Sequence, residues 1–371
     1  MNKAVNDEIN TSLYAAVATI DVSAIVANYI ALAKRVAPTE CSAVVKANAY
    51  GLGAHKIAPA LYQVGCRTFF VAQIREALQL KSILPSNVTI AFLNGLPHLT
   101  EEFVAQSGLV PVLNSWNAIE NWQKICQKKD KKLPAIIQVD THMNRLGLDQ
   151  KELQKLIKRP TIFETADIKY ILSHLANGED NTHPSNYTQL TSFKNTLTQL
   201  PTCRASLANS GGIFLGSDFY FDLVRPGIAL YGIDPSGKHP SLLKPVLKLE
   251  AQIIQSRVVG TGLPVGYGES FITNRPSTLA TISIGYADGW LRTLSNKGTV
   301  YFHGHKLPIV GRISMDAIIV DTTDLDQKPQ TGDWVELIGP NQTLEKVSID
   351  ANTLPNEILT SLGSRYKYIY T

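Results

Sequence analysis

The strongest constraint on this chain is a series of eight short apolar runs separated by helical patterns. They are SAVV before Lys46, TFFVA (68–72), VTIAFL (88–93), LVPVL (109–113), AIIQV (135–139), IKYIL (168–172), CRASL (203–207) and DLVRP (222–226). Runs this short and this apolar read as strands buried on both faces, and alternation with helices makes the sheet parallel. Residues 21–36, 74–84, 116–128, 149–158 and 187–200 carry apolar side chains at helical spacing. Ser115 stands where the helix over 116–128 needs an N-cap. Eight such units suggest an α/β fold, a closed (β/α)8 TIM barrel, which takes roughly 250 residues. An open doubly wound sheet is the alternative that counting leaves open.

The texture changes near residue 240. The segments KLEAQIIQSRVVGTGLPVGYG (248–268), STLATISIGYADG (277–289), GTVYFHGHKLPIVGRISMDAIIVDTT (298–323) and GDWVELIG (332–339) alternate apolar and polar residues around frequent glycines. That pattern predicts a mainly antiparallel β domain, with a final helix over residues 349–362 closing the chain. The Pro-, Ser- and Gly-rich stretch 235–245 marks the boundary. The expected organisation is a polar extension (1–15), a barrel (16–240) and a C-terminal β domain (241–371).

Charge and cysteine usage narrow the function classes. With 35 basic and 31 acidic residues the net charge is only +4 over 371 residues, which speaks against a nucleic-acid surface. The one basic run, 128–132, is interrupted by Asp130 and reads as a solvated helix end. No stretch of about 20 mostly apolar residues is present, so no membrane span is expected. The N-terminal MNKAVNDEINTS carries acids and lacks an apolar core, unlike a secretory signal. Cys41, Cys66, Cys126 and Cys203 are scattered, as free thiols of a cytoplasmic protein would be, and suggest neither disulfide frame nor metal site.

In a (β/α)8 barrel the active site lies at the C-terminal ends of the strands. Lys46 follows the first run, Arg145 the fifth, His174 the sixth, Asn209 and Ser210 the seventh, and Arg225 the eighth. One mouth would collect them all. A lysine leaving a buried strand starts in low dielectric, which favours a neutral amine able to condense with an aldehyde. Taken alone, a lysine reaching into solvent is the plainer reading. Residues 210–212 and 226–228 form glycine turns whose N–H groups suit a phosphate dianion; an ordinary helix cap and tight turn would look alike. Arg225 keeps its proton at usable pH. Beside a heterocyclic nitrogen it would donate a hydrogen bond; otherwise it would pair with Asp222. His174 reads as a core histidine holding such a partner in place.

VVKANAYGLGA (44–54) resembles the cofactor-lysine segment of bacterial alanine racemases, a pyridoxal-phosphate family. DTHMNRLG (140–147), LANSGG (207–212), VRPGIALYG (224–232), IGYADG (284–289) and VGRISMD (310–316) resemble further segments of that family, in order. The resemblance runs from about residue 16 to the end. It implies a barrel holding pyridoxal 5'-phosphate and a β domain that completes the site of a second copy, hence a homodimer with shared sites. Lys46 would carry the cofactor covalently. Tyr50, Ser210, Gly227 and Ile228 would hold its phosphate, with Asn209 alongside. Arg225, supported by His174, would face the ring nitrogen, and Arg145 the substrate carboxylate. Tyr286 and Met315 would come from the partner.

The activity implied is interconversion of L- and D-alanine by two bases, Lys46 on the D-face and Tyr286 on the L-face, supplying D-alanine for peptidoglycan. A phenol of ordinary pKa, about 10, needs a neighbouring cation to work as a base, and Arg145 is the candidate. Arg225 would keep the ring a weak electron sink and suppress transamination. Gln138 departs from the pattern: many relatives carry a carbamylated lysine there that orients the arginine. Two other readings share the scaffold: a racemase of broader specificity, restricted only by bulky Tyr286, Met315 and Tyr366, and a non-catalytic pyridoxal-phosphate-binding protein.

Overall fold

The computed structural model describes residues 13–237 and 242–371. They form two compact units, one of residues 24–244 and one in which residues up to 23 join 245–371.

The first unit is the expected barrel. Strands Ala43–Val44, Thr68–Val71, Thr89–Phe92, Val110–Leu113, Pro134–Gln138, Asp167–Leu172 and Ala205–Ser206 pair side by side in a seven-stranded sheet, all in parallel. The eighth, Leu223–Val224, pairs with Glu40–Cys41, which leads into the first. On its other side the Arg225 N–H donates to the Ala208 carbonyl at 2.9 Å. The sheet therefore closes, which excludes the open alternative. Helices Val22–Val36, Ile74–Lys81, Trp116–Lys128, Gln150–Lys158 and Ser185–Leu197 fall close to their expected spans. Ser115 Oγ accepts the Ala118 N–H, the cap expected there, and Asp149 Oδ1 likewise accepts the Glu152 N–H and caps the helix Gln150–Lys158. The three phenylalanines of the second and third strands, Phe69, Phe70 and Phe92, are fully buried.

At the N-terminal end of the strands one carboxylate ties the barrel together. Glu40 accepts hydrogen bonds from Thr68 Oγ1 (2.7 Å), Tyr170 Oη (2.9 Å) and Arg204 (2.8 Å).

The second unit is built on the thirteen-residue strand Leu247–Val259. It pairs antiparallel with Ala16–Ile20, Ser277–Ile282 and Trp334–Ile338. Two expectations are corrected here. Residues 16–20, placed with the barrel, are a strand of this sheet; they also pair in parallel with Lys367–Tyr370. Its two edge partners lie hundreds of residues away, beyond any local pattern. The single closing helix is instead two, Leu344–Ala351 and Pro355–Ser361, and the chain ends on the strand Lys367–Tyr370. Asn352 adopts a left-handed conformation (φ 54°) that caps the first helix, and Pro355 opens the second, where no N–H is required. Residues 1–12 of the expected extension and 238–241 of the expected boundary lie outside the described residues. All four cysteines are free, and three are buried.

Candidate active site

The site begins where the first strand stops. Residues 47–50 all have positive φ (51°, 56°, 55° and 56°), a full turn of left-handed backbone with no glycine in it. L-residues resist this conformation by roughly 1–2 kcal/mol each, so outside contacts must hold it. The Asn48 side chain accepts the Ala54 N–H at 2.9 Å. Glu76 accepts the Ala47 N–H with one oxygen, and those of Ala72 (2.8 Å) and Gln73 (2.9 Å) with the other.

Lys46 precedes this turn and Tyr50 ends it. Lys46 is partly buried at the strand end. Burial lowers its pKa from the usual lysine range, the charge of Arg145 lowers it further, and Glu76 opposes both. Tyr50 is buried against Tyr231, ring centroids 4.7 Å apart. Burial pushes its phenol up to about 12, so it stays a neutral donor. Its hydroxyl lies against the Gly227 backbone: a Cβ at Gly227 would come within 2.3 Å of it. Ser210 Oγ is buried in the same corner and accepts the N–H groups of Gly227 (2.8 Å) and Ala229 (3.2 Å). Ser210 and Ile228 each open a short helix, whose first N–H groups have no intrahelical partner. Asn209 is the N-cap of the helix Ser210–Leu215, accepting the Gly212 N–H at 2.9 Å.

Arg225 is 4% exposed. Its guanidinium donates to Ser206 Oγ, to the Ser173 carbonyl (2.6 Å) and to the Leu207 carbonyl (3.3 Å). Asp222 instead accepts the Ala205 N–H, so the alternative pairing of Arg225 with Asp222 is not made. Burial lowers Arg225 to about 10, which leaves it a cation at neutral pH. His174 is not among its hydrogen-bond acceptors but feels its field. Burial first, then the charges of Arg225, Arg145 and Lys46, bring His174 down to about 3. Three cations from three strand ends thus act on one neutral imidazole.

Arg145 is exposed, on the loop after the fifth strand. Gln138 Nε2 donates to the Leu146 carbonyl (3.1 Å), so that side chain fixes the backbone next to Arg145 rather than its guanidinium. Asp140 Oδ1 accepts the N–H groups of Met143 and Asn144 inside the same loop.

In the second unit, Tyr286 and Met315 sit on two loops joined by backbone hydrogen bonds, Tyr286 N–H to Ser314 and Ala287 N–H to Met315. They are 44% and 52% exposed. Buried Asp288 anchors these loops: it accepts two hydrogen bonds from Arg365 (2.6 and 2.8 Å), which also donates to Asp316. Tyr366 is buried and donates to the Asp288 carbonyl, so it belongs to this support and not to a lining surface.

Sequence reasoning missed Glu76, Ser206, Ser173 and the Asp288–Arg365 pair. Glu76 was findable in part: it stands at the third position of a helix, where a carboxylate accepts the cap N–H.

A model of the alanine racemase N-terminal domain matches residues 20–235, and one of its C-terminal domain matches 246–370. The chain belongs to the alanine racemase family. An alanine racemase of Brucella suis is 50% identical over 367 residues, covering 95% of this chain and 92% of that one. A catabolic alanine racemase of Agrobacterium fabrum is 45% identical over 353 residues, covering 95% and 91%. Among solved structures, the alanine racemase of Bartonella henselae with covalently bound pyridoxal phosphate shares 78% identity at a TM-score of 0.95, covering 96% of this chain and 99% of that one.

Proposed function

We propose that this protein interconverts L- and D-alanine with pyridoxal 5'-phosphate. The observation that carries the reading is the meeting of a half-buried lysine, a buried arginine and a hydroxyl-lined glycine turn at one barrel mouth. The donors fit the group. Two hydroxyls, Tyr50 and Ser210, converge on the turn at Gly227, where a Cβ would fill the space. They suit a phosphate anion, together with the N–H of Ile228. Lys46 would hold the aldehyde carbon, and Arg225 would donate to the ring nitrogen. Asn209 shapes the phosphate corner as a cap, and His174, buried and neutral, adds no further positive charge beside Arg225, Arg145 and Lys46.

When bound, the cofactor supplies the electron sink that acidifies the substrate Cα–H. The chain's own groups move the protons. The Lys46 amine, kept below its usual pKa range, takes or returns the proton on the D-face. Tyr286, from a second copy, does so on the L-face, with Met315 beside it. Arg145 holds the substrate carboxylate and supplies positive charge near the phenol. Arg225 stays protonated, so it would donate to the ring nitrogen without yielding a proton to it, which would disfavour transamination.

The exposure of Tyr286 and Met315 supports a homodimer with shared sites. Three buried free thiols support a cytoplasmic location. Among the described residues no helix is long and apolar enough to cross a membrane. Peptidoglycan is the proposed destination of the D-alanine.

Chiral analysis of alanine tests the reading. The cofactor-loaded protein given L-alanine should produce D-alanine up to an equal mixture. Bound cofactor with no D-alanine would overturn it, and turnover of larger amino acids at equal rate would replace it with a broad-specificity racemase.

A further inference from the structure

We propose that Glu76 is a positioning residue for Lys46 and Tyr50. Its carboxylate pins the left-handed turn after Lys46 to the end of the second barrel strand. This deepens the functional reading above and rests on Lys46 being the cofactor lysine.

The argument starts from a conformation that does not hold itself. Ala47, Asn48, Ala49 and Tyr50 are all left-handed, and none is glycine. Such backbone persists only where surrounding contacts over-determine it. Glu76 supplies one from the exit of the neighbouring strand. At the third position of the helix Ile74–Lys81, one oxygen accepts the Gln73 N–H, the ordinary reciprocal bond of a helix N-terminus. The same oxygen accepts the Ala72 N–H at the strand exit. The other oxygen reaches a different segment and accepts the Ala47 N–H. That third bond is not needed to start the helix.

Ala47 is the residue after Lys46, and Tyr50 ends the turn. Moving Ala47 therefore moves both the amine and the hydroxyl that lies against Gly227. Glu76 is also the anion whose field opposes the burial of the Lys46 charge. A glutamine would keep the size but face at least one of the three N–H donors with an NH2 group. The turn would then lose either its anchor or the helix its cap.

A matched control exists at the opposite end of the barrel. Glu40 likewise receives three donors, from Thr68, Tyr170 and Arg204, but none belongs to the mouth. The experiment compares holoenzymes of wild type, Glu76→Gln and Glu40→Gln. Each is measured for the pyridoxal-phosphate dissociation constant, the pH titration of the bound-cofactor absorbance band, and Tm. E76Q should weaken cofactor binding about 10-fold or more, the scale of one lost charge-assisted hydrogen bond, and shift the titration. E40Q should lower Tm and move neither. Adding Ala47→Gly to E76Q should restore part of the affinity, because glycine adopts positive φ freely. Should E76Q not fold, Glu76→Asp serves in its place: one methylene shorter, it reaches one segment and not both, and the same weakening is expected.

An unchanged dissociation constant and titration in the Glu76 variants would overturn the proposal. So would an equal shift in E40Q. Borohydride reduction of the holoenzyme and peptide mapping separate this from failure of the site reading. Label on Lys46 with no effect at Glu76 refutes the positioning role alone, whereas label elsewhere refutes the site reading and the inference with it.

Discussion

An alanine at position 227 is a one-carbon test of the proposed phosphate corner. Gly227 has a negative φ (−118°), so an alanine there meets no left-handed penalty, and the contact of its new Cβ is what the comparison below isolates. The new Cβ would lie 2.3 Å from the Tyr50 hydroxyl and 3.1 Å from the ring carbon bearing it. Ordinary contact begins near 3.4 Å, so the hydroxyl must retreat by about 1 Å. It has little room: Tyr50 is buried, packs on Tyr231 and hangs from the left-handed turn. Overpacking of this kind costs about 1–3 kcal/mol. Expressed in cofactor affinity, that is roughly a 5- to 150-fold loss. Titrating the apoprotein with pyridoxal phosphate, followed by absorbance, reads it directly. The decisive comparison is the same change on a Tyr50→Phe background. There the atom at 2.3 Å is gone, and adding Gly227→Ala should weaken binding by no more than about 2-fold. Equal losses on both backgrounds, or none on the wild type, would show that the Tyr50 hydroxyl does not shape this corner.

Four other outcomes are expected. Tyr286→Phe should reduce racemisation by about 10²–10⁴-fold, the usual yield of a general acid–base group, while cofactor affinity stays constant; full activity would remove Tyr286 from the chemistry. Arg225→Glu should raise the ratio of pyruvate formation to racemisation, measured on one alanine sample, and an unchanged ratio would sink the charge argument. Glu40 should make the fold acid-sensitive. Burial alone would raise its pKa, but hydrogen bonds from Thr68, Arg204 and Tyr170 outweigh it and hold the carboxyl below the usual 4.5. A depressed carboxylate stabilises the fold fully above its unfolded pKa and loses that contribution as pH falls through the folded value. Glu40→Gln should therefore lower Tm at pH 7 and flatten its fall below about pH 4.5. The loss should be at or below the ~1.5–3 kcal/mol of charge-assisted bonds, because the side chain is 31% exposed. Parallel Tm-versus-pH curves would contradict this.

His174 behaves differently from a typical imidazole. Held near 3, it stays neutral throughout the working pH range and should place no step in a pH–rate profile between pH 5 and 9.

The residues themselves determined much of this protein. Eight apolar runs with helices between them require a parallel sheet, because only a strand covered on both faces tolerates unbroken apolar sequence. Lys46, Ser210, Arg225 and Gly227 were legible for the same reason: a barrel gathers whatever follows its strands at one mouth. Ser115 announced its helix because capping is local. What only the tertiary structure decided depends on neighbours far along the chain. Strand Ala16–Ile20 belongs with the second unit because its edges pair with residues 247–251 and 367–370. Local periodicity records burial but not the partner. Pro355 and Asn352 carried a visible break, yet helical spacing on either side concealed it. The left-handed turn at 47–50 contradicts the intrinsic preference of its residues, and the carboxylate that holds it sits 29 residues after Ala47. A strained backbone is stable only against a support that folding brings to it, and no propensity of its own residues foretells that support.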